Sequence, residues 1–290
     1  MSSTTNSNVG AERIPENPNL ATRQLLRRHA TAFAVSFVLL TALLLAKSAT
    51  RQLPEWRARG DPPSAIVEVL LLSLPSIVAL TIPMSVFVAV LWVFTRLGAE
   101  GALTAARQER RVGRRLVAPV LGFAAVLAVL SFVCNAVILP RTNHRLVVVL
   151  AANRGQPTSR CESDRCMTIG KLRAEARRAR TNAGPDALAQ AAIYEVEVQK
   201  KYSIAAACVI LALLGVALAL VSPRGGVRLV FVASFNVFIV YYVSLVAGES
   251  LADRLVISPF VAMWLANAFC LLLAAALGAS RLMIPYDKKA

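Results

Sequence analysis

Six blocks of apolar residues, each long enough to cross a bilayer as a helix, decide what this chain can fold into. They lie near 30–50, 67–95, 117–139, 202–222, 229–248 and 255–280. Crossing about 30 Å of hydrocarbon takes roughly 20 helical residues. The blocks are apolar all round rather than striped at helical or strand period, which excludes a soluble bundle. A hydrophobic content of 57% over 290 residues agrees with this. Lipid offers no partner for an unpaired backbone amide, so the blocks must be helices. The expected fold is an all-α integral membrane protein with six transmembrane helices in a 3+3 arrangement.

The blocks divide the chain. Residues 1–29 are a polar tail, expected to be partly disordered and cytoplasmic, with no cleavable signal peptide because the first apolar run comes late. Residues 30–139 hold the first three spans, with a basic helical segment, 98–116, between the second and third. Residues 140–201 form a short outer cap, 202–280 hold the last three spans, and 281–290 close the chain as a second cytoplasmic tail. Charge sets the orientation. With the N-terminus inside, fifteen Lys and Arg of the tails and short inner loops face the cytoplasm. The short outer loops carry five: Lys47, Arg51, Arg57, Arg59 and Arg254. Such an excess favours both termini in the cytoplasm. Pro75 and Pro83 each remove a helical hydrogen bond from the second span and are expected to bend it.

In the cap, KLRAEARRARTNAG reads as a short basic helix stopped by Gly184 and Pro185. Strand signals are sparse, confined to RLVVVL (145–150) and IYEVEV (193–198), so the cap is expected to be small and helical or irregular. Between Arg141 and Arg180 ten basic residues face three acidic ones, a net of +7. That charge suits an anionic phospholipid or glycolipid surface, or else a solvated cap; nucleic acid is not expected outside the cytoplasm. Cys134, Cys208 and Cys270 lie in apolar runs and read as packing residues. Cys161 and Cys166 are close enough in RCESDRCM to form a disulfide if the compartment is oxidising. Two Cys without neighbouring His make an incomplete zinc site, so no metal is expected.

Several stretches together carry a family pattern. EVQKKYSIAAACVILALLGVALALVSPRGG is followed by FNVFIVYYVSLVAGESLADRLVISPFVAMWLANAF, with its YY, GE-LADR and P-x-x-AMW-x-x-N features. Earlier, LPSIVALTIPMSVFVAVLWVFTRLGAEGALTAAR has the look of a second span leading into a cytoplasmic helix. In this order they resemble the lipopolysaccharide-export permeases, the LptF/LptG (or YjgP/YjgQ) family. The resemblance implies a permease subunit of an ATP-driven exporter in the cell inner membrane. A second permease subunit, a cytoplasmic ATPase dimer and a periplasmic bridge protein would be its partners, and lipopolysaccharide its cargo. The family's periplasmic β-jellyroll has no counterpart here, because about 60 residues cannot supply eight strands. Alternatives are an exporter of another lipid or glycan served by a partner's periplasmic domain, or a non-transporting membrane scaffold.

The same resemblance turns GALTAARQERRVGRR (101–115) into a coupling helix. Arg107, Arg110, Arg111 and Arg114 share one helical face, and Leu103, Thr104, Ala106, Arg107 and Arg110 are expected near the ATPase groove. Read without it, the segment is a solvated inner loop or a headgroup anchor. Lys47 and Arg51, at the outer end of the first span, are the candidates for contact with an anionic lipid headgroup; the plainer reading is a snorkelling anchor. Glu249, Asp253 and Arg254 of GESLADR stand between spans five and six, as a structural ion-pair network or as gating groups. No GxxxxGK[ST] stretch occurs, so ATP hydrolysis is expected on a separate chain. No cofactor is expected on this one.

Overall fold

The computed structural model describes residues 18–60, 62–101, 110–153, 163–182, 184, 186–222 and 225–283. All regular structure among them is helical. Helix α1 runs Pro18–Arg59 and α2 Pro63–Ala99. Helix α3, Arg110–Val133, passes through a π-helical turn at Cys134–Ile138 into α4, Leu139–Asn153. A 3-10 turn, Asp164–Cys166, precedes α5, Ile169–Thr181. Helices α6 (Ala187–Val221), α7 (Gly226–Asp253) and α8 (Pro259–Met283) complete the chain. Six of these segments are long and apolar enough to cross a membrane, three on each side of the cap in sequence.

The cap is helical, as expected, and among the described residues even the two stretches suited to strands are helix. RLVVVL lies within α4 and IYEVEV within α6. Both are continuations of membrane helices. A helix already nucleated in lipid adds residues at little cost, and β-branched side chains weaken a helix only slightly. Spans three and four therefore rise beyond their apolar blocks and carry α5 between them, making the cap wholly helical where it is described.

Helices α2 and α6 form the centre of the bundle. Phe87, Leu91 and Phe94 of α2 pack with Leu211 and Leu214 of α6 in the main core, all of them buried. Helices α1 and α7 lie outside and expose Val35, Leu39, Leu43, Phe231 and Phe235. In water such a surface would drive aggregation; in hydrocarbon it is the expected exterior. Pro75 and Pro83 are accommodated within α2, which continues as one helix through both.

Small residues and polar ties set the helix contacts. At Gly248 of α7 an added Cβ would meet the Ala262 carbonyl oxygen of α8 at 2.6 Å, so only glycine admits this approach. Trp264 Nε1 donates to Gln199 Oε1 at 3.1 Å, and Asn267 Nδ2 donates to the Ser203 carbonyl at 2.8 Å. The Trp and Asn of the AMW-x-x-N stretch thus fasten α8 to α6. The turn from α7 to α8 is a Schellman motif: Val256 N–H donates to Leu251 C=O at 3.0 Å, and Leu255 N–H to Ala252 C=O at 2.9 Å. Its left-handed position, usually glycine, is occupied by Leu255 at φ 60°.

Candidate functional site

A groove of about 1450 Å³ is walled by α1, α2 and α7. Its volume exceeds the usual 300–1,000 Å³ of small-molecule pockets. Leu39, Leu43, Phe87, Trp92, Phe231 and Phe235 make its sides apolar. Its charged groups gather at the ends. Lys47 stands at the cap end; Arg28, Arg96 and Glu100 stand at the opposite end, where Arg28 Nη1 pairs with Glu100 Oε2 at 3.1 Å. Arg28 and Lys47 are separated by about 28 Å of helix, close to the thickness of the hydrocarbon layer. At the cap end Lys47 Nζ lies 6.0 Å from the centre of the Tyr242 ring, a cation–π contact that bridges α1 to α7.

A second polar assembly sits at the cap end of α6. Glu197 Oε2 accepts from Lys200 Nζ at 3.1 Å, and its Oε1 accepts from Lys201 Nζ at 3.2 Å. Lys200 reaches on to Glu249 Oε1 of α7 at 2.8 Å, which Arg165 of the cap also approaches at 3.5 Å. Lys201 is 1% exposed and Glu197 3%. Lys201 also donates to the Asn135 carbonyl at 3.3 Å. That carbonyl belongs to the π-helical turn, whose wider spacing alters the helical bonding pattern there. The assembly ties α3, α6, α7 and the cap together at one level.

The residues singled out by sequence fall as follows. Lys47 lines the groove, and Arg51 follows one turn later in α1. Glu249 joins the ion-pair assembly. Asp253 is half-buried at the end of α7, and among the described residues its Oδ1 has no hydrogen-bond partner. Arg254 is exposed at the C-cap of α7. Arg110 opens α3, whereas Leu103, Thr104, Ala106 and Arg107 lie outside the described residues. Cys166 is disulfide-bonded while Cys134, Cys208 and Cys270 are free thiols; Cys161 lies outside the described residues. Among the described residues no three His, Cys, Asp or Glu side chains converge as metal ligands.

The Glu197–Lys200–Lys201 cluster was not singled out by the sequence reading, although its i, i+3, i+4 spacing was visible in EVQKK. Tyr242 was noted only as half of the YY feature. Its role depends on which face of α7 meets α1, and hydropathy alone does not specify that.

Six spans, three of which wall a lateral groove, define a polytopic membrane protein of the permease type. The chain matches the family described as lipopolysaccharide export system permease LptF/LptG over residues 23–164 and 150–279. It belongs to that family, and so is the permease component of a multi-subunit transporter and a multi-pass inner-membrane protein. Comparison with curated proteins gave no match.

Proposed function

We propose that this chain is one permease subunit of an ATP-driven exporter that lifts lipopolysaccharide out of the inner membrane through the α1–α2–α7 groove. The observation that carries the reading is the groove itself: apolar along its depth, as deep as the hydrocarbon layer, and headed by Lys47. Acyl chains would lie against Leu39, Leu43, Phe231 and Phe235. A phosphate or carboxylate at the headgroup would meet Lys47, with Arg51 a turn above, through charge-assisted hydrogen bonds.

In this reading both termini are cytoplasmic and the cap is periplasmic. An ATPase dimer docks against Leu103, Thr104, Ala106, Arg107 and Arg110. Its closure on ATP pushes the segment between α2 and α3, and α2 transmits the push because it also forms a wall of the groove. Narrowing the groove moves the lipid toward the cap end, past the Lys47–Tyr242 contact. A second permease subunit, either this chain again or a paralogue, covers the exposed faces of α1 and α7. The cap has no strands among its described residues, so the hand-over domain and bridge protein belong to partner chains.

The test is to purify the chain with its ATPase and identify co-purifying lipid by mass spectrometry, alone and after Lys47→Glu or Phe235→Glu. Lipopolysaccharide in the native complex, depleted in both variants, is the expected result. Another lipid or a glycan depleted in the same way would reassign the cargo. Intact ATPase capture and lipid export by Arg107→Glu with Arg110→Glu would remove the coupling assignment.

A further inference from the structure

A second cavity, of about 310 Å³, lies away from the groove, between α5 and α6. It is lined by Arg173, Ala176, Arg177, Arg180, Glu195, Val198 and Gln199. The three arginines stand at i, i+4 and i+7 on α5, so they share one face. Leu172, Ala176 and Ala179 are buried and anchor the helix to α6, which fixes the direction in which those arginines point.

The arginines are not equivalent. Arg180 is paired with Glu195. Arg173 Nη2 donates to Tyr202 Oη at 3.2 Å, with its guanidinium 5.9 Å from the Tyr202 ring centre. Arg177, between them, makes no ion pair among the described residues. Three guanidinium groups against one carboxylate leave an excess of two positive charges over a small concavity. That is the complement of a phosphate ester, whose tetrahedral oxygens suit forked guanidinium donors.

The surroundings indicate the source of the phosphate. Tyr202 stacks on Phe132 of α3, their ring centres 5.3 Å apart. Aromatic rings with a polar tip gather where hydrocarbon gives way to headgroups. On α3 beside Phe132, Val126, Val129 and Val133 are exposed, an apolar strip on which acyl chains can lie. The sequence Phe132, Tyr202, Arg173, Arg177 therefore runs from hydrocarbon to headgroup level.

We infer that the Arg173–Arg177–Arg180 cavity of the cap is a binding site for the phosphate of an anionic lipid headgroup, separate from the groove that would carry cargo. The site holds the cap down on the surface of the bilayer. It shares no residue with the groove, so its failure and that of the transport reading are separable.

The experiment uses the full chain in detergent micelles, titrated with phosphatidylglycerol, phosphatidylcholine or inorganic phosphate, and reads bound lipid by native mass spectrometry. Phosphatidylglycerol is expected to bind more tightly than phosphatidylcholine. Arg177→Gln should weaken it about tenfold, as expected for losing a charge-assisted contact, and Arg177→Lys should restore part of the loss. Arg178→Gln is the control. It makes the same charge change on the same helix, but Arg178 pairs with Glu175 and does not line the cavity. Equal losses for the 177 and 178 variants would mean diffuse attraction and overturn the site. Inorganic phosphate binding at Arg177 without any lipid preference would overturn the lipid headgroup as its ligand. Far-ultraviolet circular dichroism of each variant confirms that the helices persist.

Discussion

Replacing Glu197 by Gln should be among the most damaging single changes outside the groove, although it removes one charge and almost no volume. The Glu197 carboxylate is shared by two ammonium groups, Lys201 at 3.2 Å and Lys200 at 3.1 Å. Lys200 retains Glu249 at 2.8 Å when Glu197 is neutralised. Lys201 retains the Asn135 carbonyl at 3.3 Å, and it is 1% exposed. A buried cation left with only neutral oxygens, the Asn135 carbonyl and the new amide's, is the costly case: breaking a buried pair from one side costs about 3–5 kcal/mol, whereas replacing both partners by apolar residues is often neutral or better. Glu197→Leu combined with Lys201→Met should therefore recover most of the loss. The assay is thermal unfolding in mild detergent, followed by tryptophan fluorescence. At about 2–4 °C per kcal/mol for chains approaching this size, Glu197→Gln should lower Tm by roughly 10 °C. The pairing argument fails if that variant melts within 2 °C or so of the parent, a shift smaller than about 1 kcal/mol. It fails equally if the double variant is no more stable than Glu197→Gln alone.

Three further outcomes are expected. Gly248→Ala drives a methyl against the Ala262 carbonyl oxygen and should destabilise by about 1–3 kcal/mol, the range for overpacking; a loosened α7–α8 contact should appear as faster proteolysis at 254–258. Leu255→Gly should stabilise by up to about 1 kcal/mol, because it relieves a left-handed position that costs an L-residue about 1–2 kcal/mol, while an exposed Leu→Gly inside a helix costs roughly 1 kcal/mol; Tm in detergent distinguishes the two signs. Trp264→Phe keeps an aromatic ring, though a smaller one, but loses the bond to Gln199, and should cost at least about 0.5–1.5 kcal/mol in the same melt.

The fold was legible wherever the solvent dictates it. Six blocks too apolar for water gave six helices, because lipid leaves the backbone no other choice. Where the chain leaves the apolar blocks the sequence signal weakened. RLVVVL has the composition of a strand, yet α3 leads through the π-helical turn into the helix that holds it, and β-propensity yields to what the chain is already attached to. The charges of EVQKK marked a span boundary in composition, but the helix buries Glu197 and Lys201 by pairing them within one turn, with Lys200 half-buried beside them. Lys47 was identifiable as a cation at a span end. Its placement over Tyr242 and at the head of the groove was not, because it depends on how α1, α2 and α7 are rotated against one another. The groove is a tertiary property of three helices that have no distinguishing hydropathy.

Span four enters the cap as one continuous helix, and span three does so with only a π-helical turn, so neither has a loop between bilayer and cap. Helix α6 alone is about 52 Å long. Tilting such a rod by about 10° at one end sweeps the other through roughly 9 Å, by the same helical rise. The cap thus works as the pointer of a stiff gauge, magnifying small motions among the spans into displacements large enough to be followed by a pair of fluorophores on α5 and α8.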